Sequence, residues 1–181
     1  MYLDELVQKI EKARISIDDT PFNQVNPSNR YNTAEVKGRI AETMVKRWLE
    51  NCPSISFDQN LPRRVNGYNL TQTNGGVLVC EGTRHVCEFD FLVLYENKPT
   101  LVEVKSLKLK GIEYKIPRIL RVGREIYEGH NIGMLLFFPF YANKQKEAQR
   151  ITERFDNLRC INLGYKKKQL NSATTVFKQR Y

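Results

Sequence analysis

Two apolar runs with charges set inside them constrain this chain more than any other feature. Residues 86–95 read Val-Cys-Glu-Phe-Asp-Phe-Leu-Val-Leu-Tyr, and residues 100–107 read Thr-Leu-Val-Glu-Val-Lys-Ser-Leu. The segment between them is turn-like, so the pair predicts a β-hairpin. Successive side chains in a strand point to opposite faces. Glu103 and Lys105 therefore share one face, and Val102 and Val104 share the other. Asp90 shares its face with Glu88 and Leu92. With the turn centred on Asn97-Lys98, Asp90 falls opposite Lys105 and diagonal to Glu103, about 5 and 7 Å away between Cβ atoms. A slip of one residue would carry Asp90 to the other face.

A lone Glu-x-Lys on a strand is usually a solvated pair. Here the charges stand inside apolar runs, where they are seldom buried unless paired or bound to metal. Two neighbouring carboxylates repel, and a divalent cation resolves the conflict. Oxygen donors suit Mg²⁺ or Mn²⁺, which can polarise a phosphoryl oxygen and acidify a bound water. Lys105 beside such an ion can orient or deprotonate that water, or neutralise charge growing on phosphate. A third acid is offered by Glu42, at the border of the apolar face in Gly-Arg-Ile-Ala-Glu-Thr-Met-Val-Lys.

The surroundings predict one α/β domain with a mixed sheet. Leu3, Leu6, Val7 and Ile10 place a helix over residues 1–14, and residues 15–32 read as a loop. Asn32-x-x-Glu35 resembles a capping box, followed by a helix through Trp48 that ends near Asn51. Residues 53–75 show no clear period. Strand-like runs follow at 76–80, 86–95 and 100–107, then a helix at 113–129 weakened by Pro117 and Gly123. A buried strand at 132–138, a polar helix at 144–157 and a short strand at 159–163 complete the core. Residues 164–181 form a basic tail, either a phosphate-binding arm or a loose end.

Lys and Arg number 29 against 20 Asp and Glu, a net charge of +9 that points to a polyanionic partner, nucleic acid before an anionic membrane surface. No stretch approaches the roughly 20 apolar residues of a spanning helix, and no signal-peptide pattern opens the chain. The cytoplasm is the expected compartment. Cys52, Cys80, Cys87 and Cys160 form no Cys-x-x-Cys, and with His85 and His130 alone zinc is not expected. They read as buried free thiols, although Cys80 and Cys87 could meet across a hairpin.

Residues 34–163 resemble the PD-(D/E)XK nuclease superfamily, with its restriction-endonuclease-like α-β-β-β-α-β core and central mixed sheet flanked by helices. The resemblance rests on a helix with Glu42, on Glu-Phe-Asp90-Phe-Leu-Val, and on Val-Glu103-Val-Lys105-Ser, in that order. Phe89 stands where the family often has its proline. The resemblance implies a Mg²⁺- or Mn²⁺-dependent DNA endonuclease. Asp90, Glu103 and the Val104 carbonyl would be metal ligands, Glu42 a further acid on the metal or its water, and Lys105 the catalytic lysine. Some relatives hold an iron–sulfur cluster on a late cysteine trio; with Cys160 alone late in this chain, none is expected. Small size and basicity resemble archaeal Holliday-junction resolvases and virus- or plasmid-encoded nucleases. The resolvases are dimers, and residues 1–14 could form a dimer surface or cap the sheet.

Lys108, Lys110, Lys115, Arg118, Arg121 and Arg124 follow directly on the active strand and read as phosphate contacts, which position DNA without reading its sequence. With no sequence-reading module evident, structure-selective or weakly specific cleavage is expected. The rival reading is a non-catalytic DNA-binding or assembly protein on the same fold.

Overall fold

A computed structural model of the chain describes residues 2–13, 15, 33–57, 64–73, 76–106, 109, 111–128, 130–140 and 145–180, with side chains up to 175. A five-stranded mixed sheet lies at its centre. It contains β1 (Ile55–Phe57), β6 (Phe91–Tyr95), β7 (Lys98–Val104), β8 (Gly133–Phe137) and β9 (Leu158–Ile161), side by side in that order. β1, β6 and β7 pair antiparallel, while β7, β8 and β9 pair parallel. Parallel neighbours need a crossover. α3 (Ile112–Ile126) and α4 (Gln145–Arg154) supply the two crossovers. β8 is buried along its whole length, as expected of a strand covered on both faces.

On one side of this sheet lie α1 (Tyr2–Lys12), α2 (Thr33–Glu50) and α5 (Lys167–Arg180), packed against Val93, Val102, Val104, Leu135 and Phe137. On the other side lie α3, α4 and a four-stranded antiparallel meander, packed against Leu92, Leu101, Met134 and Leu136. The meander comprises β2 (Arg64–Val65), β3 (Tyr68–Thr73), β4 (Gly76–Glu81) and β5 (Arg84–Phe89). The alternation of Leu101 and Val102 between the two cores is the period of two read from the sequence. α1 buries Leu3, Leu6 and Ile10 within the chain, so it caps the sheet. Trp48 Nε1 of α2 donates to the Ile10 carbonyl at 2.6 Å.

Four expectations are corrected. Residues 53–75 hold β1, β2 and β3. In β3 the side chains are mostly polar and Leu70 alone is fully covered, so pairing with β4 makes it a strand. Asn66-Gly67, with φ of 48° and 85°, is the two-residue turn between β2 and β3. The run 86–95 is two strands: β5 belongs to the meander and β6 to the central sheet, and the chain changes sheets at Asp90. The β6–β7 turn is centred on Glu96-Asn97, both at positive φ, because Tyr95 pairs with Lys98 and Phe91 with Val102. The segment 164–181, expected as a tail, contains α5, which lies on α2 and buries Leu170 and Thr174.

All four cysteines are free. Val86 bulges out of β5, so Cys87 pairs with Val79 while Cys80 pairs with His85. Burial pushes the thiols of Cys52, Cys87 and Cys160 up to about 11. Among the described residues no helix is long and apolar enough to cross a membrane. The loop expected at 15–32 and the cap at Asn32 lie outside the described residues apart from Ile15.

Candidate active site

The carboxyl end of β7 gathers charge from both sides of the sheet. Glu103 is the penultimate residue of β7 and is 4% exposed. Its carboxylate accepts from Lys105 Nζ. Lys105 lies just past the strand, yet its amide still donates to the Phe137 carbonyl of β8 at 2.8 Å. The ladder thus runs one residue beyond β7 and fixes the lysine's backbone.

Asp90 sits where the chain passes between sheets. Its amide donates to the Val102 carbonyl at 2.9 Å, and its Oδ2 accepts from the Val104 amide at 2.5 Å. These two bonds bracket Glu103, so Asp90 stands across from Glu103 and not from Lys105. The register is displaced by two residues from the one expected, because the tight turn lies at Glu96-Asn97. A displacement of two preserves the face. Asp90 therefore remains with the Glu-x-Lys pair.

Gly76 allows this placement, and the sequence reading missed it. A Cβ there would lie 2.3 Å from the Phe89 carbonyl oxygen and 2.9 Å from Asp90 Cα, at a φ of 142° that side-chain-bearing residues rarely adopt. The start of β4 thus lies directly against the Phe89–Asp90 peptide. The signal was the Gly75-Gly76 pair before a strand.

Glu42 arrives from the opposite layer. A side-chain carbon at Gly38 would lie 4.0 Å from Ser106 Oγ, so this turn of α2 covers the chain as it leaves β7. Glu42 follows one turn later on the same side. Its Oε2 accepts from Arg39 Nη1 at 2.9 Å, and the pair is half-buried. Arg39 is a second residue the sequence reading passed over, although its i,i+3 spacing from Glu42 announces it.

Three carboxylates thus face two cations, Lys105 and Arg39. Burial, then the charges of Glu103 and Glu42, hold the Asp90 carboxyl well above the usual aspartate range; the Val104 amide and Lys105 oppose this. Burial also raises Glu42, against Arg39 and Lys105, with Glu103 adding to the rise. The donors are hard oxygens carrying surplus negative charge, which fits Mg²⁺ or Mn²⁺ in kind. Among the described residues, no three acidic, histidine or cysteine side chains are gathered for a metal as they stand. Asp90 is turned to a backbone amide, and Glu103 and Glu42 are closed by ion pairs.

Of the expected phosphate contacts, Lys115, Arg118, Arg121 and Arg124 lie on the exposed face of α3. Arg118 Nη1 donates to the Val86 carbonyl at 3.4 Å, on the edge strand of the meander. Lys108 and Lys110 lie outside the described residues.

No family model matches the chain, and neither does any curated protein. Among solved structures it is similar to protein VC1899 from Vibrio cholerae, at 16% identity and a TM-score of 0.36, over 98% of this chain and 43% of that one. It is also similar to SfsA of Pyrococcus furiosus, solved with Ca²⁺, at 14% identity and a TM-score of 0.32, over 71% of this chain and 56% of that one. The chain spans about half the length of each, and at these scores neither likeness decides an activity.

Proposed function

We propose that the chain is a metal-dependent deoxyribonuclease, an endonuclease on a restriction-endonuclease-like α-β-β-β-α-β core. The observation that carries this reading is the meeting of Asp90 and Glu103 across adjacent strands, with Lys105 on Glu103 and Glu42 within electrostatic reach. Asp90, Glu103, Glu42 and the Val104 carbonyl would hold the ion. A bound Mg²⁺ or Mn²⁺ supplies positive charge at the scissile phosphate and a more acidic water.

The chain's own groups do the rest. The Val104 amide keeps Asp90 oriented. With an ion held by Glu103, Lys105 would be free to meet the phosphate or to donate a hydrogen bond to the oxygen of the attacking water and so orient it. That water would add to phosphorus and give up one proton to solvent, while the bond from phosphorus to the departing sugar oxygen breaks and that oxygen takes up a proton from solvent. Lys115, Arg118, Arg121 and Arg124 hold phosphates alongside, which makes binding steeply salt-dependent.

The experiment is a cleavage panel with Mg²⁺ or Mn²⁺ across supercoiled circle, linear duplex, single strand, flap and four-way junction. Asp90→Ala and Lys105→Ala should each abolish most activity; a robust activity untouched by both would refute the roles. One observation favours a second reading, a DNA-binding protein without catalysis: Lys105 and Arg39 already close two of the carboxylates. Tight DNA binding with no cleavage under any of these conditions would select it.

A further inference from the structure

Tyr114 stands apart among the described residues as the exposed large hydrophobic side chain, at 88%. A single exposed aromatic needs no explanation by itself. Its neighbours give it one. The apolar face of α3 is buried against the sheet, which fixes the outward face. At 100° per residue Tyr114, Arg118 and Arg121 fall in one outward stripe, spanning about 10 Å along the helix axis. Lys115 and Arg124 flank it; of the acids at the two ends of the stripe, Glu113 is held by Arg150 and Arg154, and Glu125 lies 3.9 Å from Arg121 in an exposed pair that a phosphate can replace. Among the described residues no ring or cation stacks on Tyr114.

The stripe is also held in place. Arg118 reaches the Val86 carbonyl at 3.4 Å, and α3 and β7 both pack against β5. The basic face and the acidic end of β7 therefore border the same short piece of β5. An open aromatic face among cations is how unpaired nucleic acid is held: a base stacks on the ring while the cations follow the backbone. A duplex keeps its base faces in its own stack and offers the ring nothing.

We propose that Tyr114 is a stacking platform for an unpaired base, and that Lys115, Arg118 and Arg121 follow the phosphates of that same DNA strand. The proposal rests on the reading of DNA as substrate and gives it a class: DNA with a single-stranded segment beside the cleavage site.

The test titrates the full chain in EDTA, so that binding is read without hydrolysis. The probes are a fluorescein-labelled single strand, its blunt duplex and an abasic strand of equal length. Tyr114→Ala should weaken the single strand by about 5- to 100-fold, the effect of one lost stack. It should leave the duplex and the abasic strand within about twofold, since only backbone contacts remain there. Tyr114→Trp should restore the affinity. A 2-aminopurine strand should be quenched by the wild type and not by Tyr114→Ala. Equal weakening of all three probes, or none of the single strand, overturns the platform. Cleavage is scored separately with Mg²⁺ or Mn²⁺. A chain that stacks the base yet cuts nothing keeps the platform and loses the nuclease. A chain that cuts while Tyr114→Ala binds single strand normally loses the platform alone.

Discussion

The four-stranded meander and the five-stranded sheet treat charge in opposite ways. In the meander Glu81, Arg84 and Glu88 are exposed, while Val77, Val79, Cys87 and Phe89 are buried. Simple alternation puts each charge in water. In β7 every residue from 99 to 104 is buried, and Glu103 is among them. A sheet with one open face can place charges outward at little cost; a sheet covered on both faces cannot, and a carboxylate kept there needs partners. The contrast marks where this chain tolerates unfavourable electrostatics, and Asp90 sits at the passage between the two regions.

The contrast is broken most sharply by activity. Glu103→Gln should lower metal-dependent cleavage of supercoiled plasmid by about 100-fold or more, the scale of losing a group aimed at the reacting centre. Glu88→Gln, on the outer face of the meander, should stay within about twofold of wild type, since exposed substitutions away from a site do little. Equal losses in initial rate would erase the distinction between the regions.

Next comes the seam. Gly76→Ala drives a carbon into the Phe89–Asp90 peptide and forces an alanine to a positive φ. Unfolding free energy should fall by about 3 kcal/mol, read from the urea midpoint. A neutral result would mean that the meander does not position Asp90.

The smallest effect has the most informative sign. Burial and like charges raise the Asp90 carboxyl in the folded chain. Between the ordinary aspartate value and that raised one, the folded chain binds more protons than the unfolded chain, so this residue's contribution to stability falls as pH rises. In EDTA, Asp90→Asn should remove that decline and be more stable than wild type at pH 7 by about 1 kcal/mol. Mg²⁺ should then raise the melting temperature of wild type and not of the variant. A less stable Asp90→Asn across the whole pH range would place Asp90 among ordinary structural carboxylates.

What the sequence made legible was periodic. The apolar run of β8, the amphipathic α2 bearing Glu42, and the shared face of Glu103 and Lys105 all follow from spacing alone. The break at Asp90 was hidden because apolar residues continue on both sides of it; only a second sheet, absent from local pattern, divides the run. Register was missed because Asn97 invites the first turn position, whereas strand pairing puts Glu96 there at a φ that glutamate seldom takes. β3 has too few apolar residues to announce itself, and Asn66-Gly67 was the turn signal that marked its start. α5 sets Leu170, Ala173 and Phe177 at helical spacing, a stripe in plain view that was passed over because the lysines around it read as a basic tail.

The bond from the Lys105 amide to the Phe137 carbonyl carries a consequence for the order of assembly. β8 is reached only after the chain has wound through α3, and parallel partners cannot zip together as a hairpin does. During synthesis the hairpin bearing both carboxylates emerges first, with the Lys105 amide still unpaired. The site takes its final form only when a late, long-range pairing closes.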